Sequence, residues 1–258
     1  MSVTIHVIRH AQGPHNVTVQ ARMTPDPHLT AEGLQQCARV QQTFPFAIDA
    51  IISSPQRRTI QTALICFGSF VAGGLRPQLL ADLQEPGNLP CNVGVDLKTL
   101  EQEYGPIINT DNLDDHWYRT TTALSSDPTQ IAERAQRARR VIRERAVSML
   151  QSVEGQPGNH DIHIAVVTHS IFIPFLTGDY SGGTRFFRNA EWRSYTFSDL
   201  KGTDDIAALV ETDQSLQRRG ATRPQPTQNV AGRNAIISRV LDRAERKSSL
   251  LPPAPQAP

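Results

Sequence analysis

No apolar run in this sequence approaches the roughly 20 residues that a membrane-spanning helix needs, and no dense block of lysine and arginine is present. The 26 lysine and arginine residues nearly balance the 25 aspartate and glutamate residues, which leaves a formal net charge of +1. Such a balance gives no general attraction to nucleic acid or to an anionic membrane surface. We therefore expect neither partner, and any anion must be bound by a local arrangement of charges.

Disulfide and metal patterns are also missing. The three cysteines, Cys37, Cys66 and Cys91, are odd in number and widely spaced, unlike a disulfide framework or a zinc site. Cys37 and Cys66 fall on apolar helical faces, which predicts small core residues. No histidine has the helical spacing of a metal ligand, and the chain enters a strand too early for a secretory leader. We expect a cytoplasmic protein without a metal or cofactor.

Short apolar segments and helical patterns alternate along the chain. Three segments are continuously apolar and rich in β-branched residues, as is typical of buried parallel strands: Val3–Ile8, Ile48–Ser53 and Ile162–Thr168. Strands that alternate with helices favour an α/β fold. The sequence therefore predicts a three-layer α/β/α sandwich with a mostly parallel central sheet.

Two helices have clear beginnings. Thr30 is a plausible N-cap for a helix to about Thr43, with Leu34, Cys37 and Val40 on one apolar face. Asp127 and Pro128 form a cap followed by a proline at the first helical position, which predicts the start of a longer helix. Its apolar stripe is Ile131, Ala135, Ala138, Ile142, Ala146, Met149 and Val153. The other faces of this helix are rich in arginine, and we interpret that charge as a solvated surface.

Composition divides the chain into a main domain and a tail. Residues 1–200 form the main domain, with an irregular insertion at about 68–127 that is rich in glycine, proline and asparagine. Residues 201–258 form a polar extension with one amphipathic helix (Ile236, Ile237, Val240, Leu241 and Ala244) and a proline-rich tail. The helix could cap its own domain or pair with a second subunit, so a homodimer is possible.

Each of the three predicted strands runs into a turn with chemically active side chains. Arg9 and His10 follow the first strand, Arg57 and Arg58 come shortly after the second, and His169 follows the third. Parallel strands gather their carboxyl ends at one edge of a sheet, where helix N-termini add backbone donors. Imidazole can attack phosphorus while guanidinium groups hold phosphate oxygens. The pattern predicts a pocket for a dianionic phosphoryl group, and three repeats of it disfavour a scattered surface set.

Ordered motifs support this interpretation. They are Ile8–Gly13 (similar to an Arg-His-Gly signature), Leu29–Gly33 (Leu-Thr-x-x-Gly), Ser54–Ala63 (Ser-Pro-x-x-Arg-x-x-x-Thr-Ala), Leu83–Glu85 (Leu-x-Glu) and Val167–His169. Over most of residues 3–197 they resemble the histidine phosphatase superfamily, which includes the cofactor-dependent phosphoglycerate mutases. Within it, the chain looks similar to poorly characterised fungal-type phosphatases. The resemblance makes residues 1–200 the catalytic domain and implies a phosphoglycerate mutase-like fold.

The resemblance also assigns roles. It implies that His10 is the nucleophile and that Arg9, Arg58 and His169 hold the phosphate, with Arg57 as a support. Asn16 and Ser170 join Arg9, Arg58 and His169 in binding substrate, and Glu85 is the general acid, with Asp82 as a competing carboxylate and an exposed loop glutamate as the plain alternative. Ala11, Gln12 and Ser170 depart from the residues usual in the family, which affects the shape of the pocket.

The expected activity is hydrolysis of a small phosphorylated metabolite through a phosphohistidine, without a metal. A mutase-type phosphoryl transferase is one alternative, although Pro86–Pro90 does not resemble the mutase segment after the acid. A non-hydrolytic member, which binds a ligand or performs other acid–base chemistry, is a second alternative. The insertion is expected to read the organic part of the substrate, with Leu89, Trp117 and Tyr118 as candidates for either pocket or core.

Overall fold

The computed structural model describes residues 1–119, 124–153, 160–181, 187–225, 230–240 and 242. The strands are β1 (Val3–Arg9), β2 (Ala50–Ser53), β3 (Gln78–Leu79), β4 (Ile162–Thr168), β5 (Trp192–Phe197) and β6 (Leu209–Glu211). The α-helices are α1 (Ala31–Thr43), α2 (Arg57–Cys66), α3 (Gly68–Ala72), α4 (Leu97–Tyr104), α5 (Pro128–Val153), α6 (Phe172–Thr177) and α7 (Asp213–Arg218). Short 3₁₀ turns lie between several of them.

All six strands form one sheet in the order β3-β2-β4-β1-β5-β6. The first four of these are parallel, and β5 and β6 add an antiparallel edge. Arg9 at the end of β1 lies opposite Thr168 at the end of β4, and Ser53 at the end of β2 lies opposite Val167. Because these three strands end in register, the turns that follow them meet at one edge.

The two faces of the sheet carry separate cores. Successive residues of β4 belong to different clusters: Val166 packs with the residues of α5 and α6, whereas Val167 packs with those of α1 and α2. Successive side chains of a strand point to opposite faces, so the helices cover both sides of the sheet. The predicted three-layer sandwich with a mostly parallel sheet is confirmed.

Helix α1 begins as predicted, because the Thr30 hydroxyl accepts a hydrogen bond from the Gly33 amide at 3.1 Å. Cys37 and Val40 are buried, but the prediction for Leu34 is wrong, since that residue is 46% exposed. Gly33, rather than Leu34, is buried on this face of the helix. It lies so near the Gln12 backbone that a β-carbon on residue 33 would be 2.2 Å from the Gln12 carbonyl oxygen.

Helix α5 also begins as predicted. Its stripe from Ile131 to Ala146 is fully buried, Met149 is partly buried, and the side chain of Val153 lies outside the described residues. The interpretation of its arginines as a solvated surface is wrong for two of them. Arg134 is 1% exposed and Arg143 is 8% exposed, because the first reaches the Gln84 carbonyl and the second reaches Asp204.

The chain beyond residue 200 contributes to this fold. Strand β6 extends the sheet, and a helical segment at residues 230–240 places Ile236 and Val240 in the same core as α5. The boundary at residue 200 stays a prediction. Leu241, Ala244 and the proline-rich tail fall outside the described residues. Among the helices that the structure describes, none combines the length and apolar character of a membrane span.

Candidate active site

The ends of β1, β2 and β4 bring the predicted residues together. His10 follows β1, and its amide donates to the Thr168 carbonyl at 2.9 Å, which ties it to the end of β4. The rings of His10 and His169 have centroids 5.2 Å apart. Arg58, in the first turn of α2, donates from Nη2 to Nδ1 of His169 at 3.2 Å. Three distant parts of the sequence therefore form one buried cluster of two imidazoles and a guanidinium.

The His10 ring is held in one tautomer. Its Nδ1 lies 2.7 Å from the Ala11 carbonyl oxygen, which can only accept, so Nδ1 carries the hydrogen and Nε2 keeps its lone pair. Burial holds the pKa of His10 well below its usual range, and the charges of Arg58, Arg9 and His15 lower it further. His10 is therefore a neutral imidazole near neutral pH, as a nucleophile must be.

Arg58 is fully buried and oriented by several acceptors. Besides its bond to His169, it donates from Nη1 to the Cys91 carbonyl at 2.7 Å and from Nη2 to Gln56 Oε1 at 2.8 Å. The Gln56 amide then donates to the Asn92 carbonyl at 2.7 Å. A planar guanidinium that is held in this way presents a fixed face to an oxyanion. Sequence reasoning missed Gln56, since a glutamine between two motif positions carries no spacing signal.

His169 is fully buried behind His10 and Arg58. Because its Nδ1 accepts from Arg58, its Nε2 carries the hydrogen and donates to the Ser54 hydroxyl at 2.9 Å. Burial lowers its pKa well below the usual range, and the charges of Arg58 and His10 act in the same direction. Both imidazoles are thus neutral, and the positive charge comes from the arginines.

The two other predicted arginines behave differently. Arg9 lines the cavity and donates from Nη1 to the Phe187 carbonyl at 2.7 Å. Arg57 instead forms an ion pair with Glu103 on α4, and its backbone amide donates to the Asp26 carboxylate at 3.1 Å. The structure therefore places Arg57 in a neighbouring charge cluster rather than on the cavity wall.

The candidate acid, Glu85, also lines the cavity. Glu85 is buried, and its Oε2 accepts from the Ile171 amide at 3.2 Å, just before α6 begins. The competing carboxylate, Asp82, forms an ion pair with Arg137 at 3.0 Å and does not line the cavity. Geometry therefore favours Glu85 over Asp82, while its role stays a prediction.

A small cavity joins these groups. Its walls are Arg9, His10, His15, Asn16, Arg22, Arg58, Glu85, Leu89, Cys91, Asn92 and Ser170. Of the substrate candidates in the insertion, Leu89 lines the cavity, whereas Trp117 and Tyr118 belong to a separate apolar core. His15, Arg22, Cys91 and Asn92 were not predicted as wall residues. Within the described ranges, no group of three or more histidine, cysteine or acidic residues could hold a metal ion.

The cavity thus combines the neutral imidazole of His10, three guanidinium groups and one carboxyl. In agreement with it, the model of the histidine phosphatase superfamily (branch 1) matches residues 5–211. The chain belongs to the histidine phosphatase superfamily. The resemblance in the sequence motifs is therefore confirmed.

Two curated relatives have names that refer to a phosphatase or to phosphoglycerate mutase. A probable phosphatase of Schizosaccharomyces pombe is 32% identical over 106 residues, which cover 39% of this chain and 49% of that protein. A phosphoglycerate mutase-like protein of Arabidopsis thaliana is 39% identical over 77 residues, or 25% of this chain and 28% of that protein. The matches to these curated relatives span half of their length or less.

Solved structures share the fold of this chain. A protein described as mycobacterial hydrolase 1 has a TM-score of 0.54 at 18% identity and covers 82% of this chain and 97% of its own. Mycobacterial hydrolase 2 also reaches a TM-score of 0.54, at 17% identity, over 90% of this chain and 96% of its own. A mycobacterial glucosyl-3-phosphoglycerate phosphatase has a TM-score of 0.50 at 18% identity, with 82% and 97% covered.

Proposed function

We propose that this histidine phosphatase hydrolyses a small phosphomonoester through a phosphohistidine at His10, without a metal ion. The observation that carries the proposal is the tautomer of His10. Its Nδ1 is committed to the Ala11 carbonyl, and its Nε2 lone pair belongs to a ring that lines a cavity with Arg9 and Arg58. A neutral imidazole beside two guanidinium groups suits attack on a dianionic phosphoryl group.

In the first step, His10 Nε2 attacks phosphorus in line with the ester oxygen. The N–P bond forms as the P–O ester bond breaks, and Glu85 gives its proton to the leaving oxygen. Arg9 and Arg58 hold the remaining oxygens, and His169 orients Arg58 by accepting its hydrogen bond at Nδ1. Because the guanidinium groups supply the positive charge that a metal otherwise provides, positioning and electrostatic stabilisation account for the acceleration.

In the second step, water attacks the phosphohistidine. Glu85, now a carboxylate, accepts the proton of the attacking water, the P–N bond breaks, and inorganic phosphate leaves. His10 returns to its neutral form, with Nδ1 still bonded to Ala11. Leu89 gives the cavity one apolar wall for the organic part of the substrate.

The test is the variant His10→Ala, assayed on p-nitrophenyl phosphate and examined for an acid-labile phosphoenzyme. We expect both turnover and the phosphoenzyme to disappear, and vanadate to inhibit the unmodified protein. His160→Ala is the matched control, because His160 is exposed and pairs with Asp49 outside the cavity. Full activity of His10→Ala, or no turnover by the unmodified protein on any phosphomonoester, would contradict the proposal.

A further inference from the structure

Arg134 is a buried cation that the proposed reaction does not use. Its guanidinium lies over the Phe172 ring, 4.6 Å from the centroid, and Nη1 donates to the Gln84 carbonyl at 2.9 Å. Its Nε and Nη2 have no hydrogen-bond partner among the described residues. Burial lowers the pKa of Arg134 to about 10, so the side chain is still charged near neutral pH. A buried charge with so few partners is costly, and its position therefore calls for a function.

Two carboxylates of the segment Asp82–Glu85 interact electrostatically with Arg134. Asp82 and Glu85 both favour its charged form and oppose the effect of burial on its pKa, whereas Arg137 adds to that effect. Asp82 already pairs with Arg137 at 3.0 Å. Glu85 is the buried carboxylate of the two. The charge of Arg134 also lowers the pKa of His169. The guanidinium therefore affects the site electrostatically, although it does not line the cavity.

Three successive residues of this segment are each tethered by a different element. Thr168, at the end of β4, donates from its hydroxyl to the Leu83 carbonyl at 2.7 Å. Arg134 on α5 holds the Gln84 carbonyl, and the Ile171 amide holds the Glu85 carboxyl at 3.2 Å. The middle tether fixes the peptide unit that carries Glu85, and it alone brings a charge.

We propose that Arg134 is a positioning residue for Glu85. It holds the Gln84 carbonyl so that the Glu85 side chain lies on the cavity wall. Arg134 does not line the cavity itself. The inference depends on the proposed function, in which Glu85 is the general acid.

The experiment compares two substrates that differ in their need for an acid: p-nitrophenyl phosphate and 2-phenylethyl phosphate. A nitrophenolate leaves without a proton, whereas an alkoxide does not, and general acid catalysis contributes roughly 100-fold or more. We expect Arg134→Met to lower kcat/KM by about 30-fold on the alkyl ester and by less than about 3-fold on the aryl ester. Arg134→Lys, which keeps the charge but loses the planar fork, gives a smaller loss with the same selectivity.

Arg143→Met is the matched control. Arg143 is also a buried arginine of α5, but its guanidinium binds Asp204. We expect this variant to change both substrates equally. Thermal unfolding shows which variants are folded, and Arg134→Lys provides the test if Arg134→Met does not fold.

Glu85→Gln separates the two proposals. If this variant loses activity selectively on the alkyl ester while the Arg134 variants lose activity equally on both substrates, the inference on Arg134 is overturned and the phosphatase mechanism stands. If Glu85→Gln itself shows no selectivity, the acid assignment fails, and the inference fails with it.

Discussion

Asp26 is a buried carboxyl group, and we expect its ionisation to have a measurable effect on the stability of the fold. It is 1% exposed and lies in the left-handed backbone region, with φ 36°. One of its oxygens accepts from the Arg57 amide at the start of α2, at 3.1 Å, whereas Oδ2 has no hydrogen-bond partner among the described residues. Burial raises its pKa from 3.8 to about 7, against the opposing charges of Arg58 and Arg57 and with a further small increase from Glu103.

This raised pKa has a definite effect on stability. Between the two pKa values the folded chain keeps a proton on Asp26 that the unfolded chain has lost, so the free energy of unfolding falls as the pH rises. The slope is about 1.4 kcal/mol per pH unit. Over the interval from pH 3.8 to about 7, the loss of unfolding free energy reaches about 4 kcal/mol, and it is complete above neutral pH.

The perturbation is Asp26→Asn. Asparagine keeps the oxygen that accepts from the Arg57 amide, tolerates the left-handed backbone, and cannot ionise. Urea unfolding of both proteins at several pH values between about 4 and 8 gives their difference in unfolding free energy. Because the histidines titrate alike in both proteins, the difference isolates Asp26. We expect the unfolding free energy of the variant to increase relative to that of the parent chain as the pH rises. A difference in unfolding free energy that does not change across this pH range would refute the reasoning.

Three other changes have clear expected outcomes. Thr62→Val removes the acceptor of the buried Ala11 amide at 3.0 Å, so calorimetry should show a loss of about 1–3 kcal/mol, which Thr62→Ser restores. Gly33→Ala would place a carbon 2.2 Å from the Gln12 carbonyl, so both Tm and turnover should fall. The control is Gly73→Ala, whose nearest contact would be 3.3 Å. Arg58→Lys cannot reproduce the planar fork, and its affinity for vanadate should fall about tenfold or more in an inhibition assay.

The convergence of His10, Arg58 and His169 could be predicted from sequence because it depends on a simple property of parallel sheets. Each residue follows a buried apolar strand, and strands of this kind end at one edge. The register of Arg9 opposite Thr168 shows the same alignment in the structure. No knowledge of loop geometry was needed for that part of the site.

The antiparallel edge could not be predicted in the same way. Strand β5 is only partly buried, with Trp192, Arg193 and Thr196 half-exposed, so it lacks the continuous apolar run that marked the parallel strands. Strand β6 has three residues, too few to show a period of two. The cavity wall was harder still, because Arg22 and Cys91 lie in short 3₁₀ turns whose positions depend on packing between distant segments.

Arg134 shows a signal that was present in the sequence but misread. The buried stripe of α5 runs through Ile131, Ala135 and Ala138. Arg134 lies three residues after the first and four before the last, which is the spacing of neighbours on one helical face. A charge at such a position cannot reach solvent by pointing away from the core, so it must find an acceptor inside. The residues before Glu85 supply that acceptor. An arginine within an apolar stripe therefore indicates a buried polar contact, and here that contact lies beside the candidate acid.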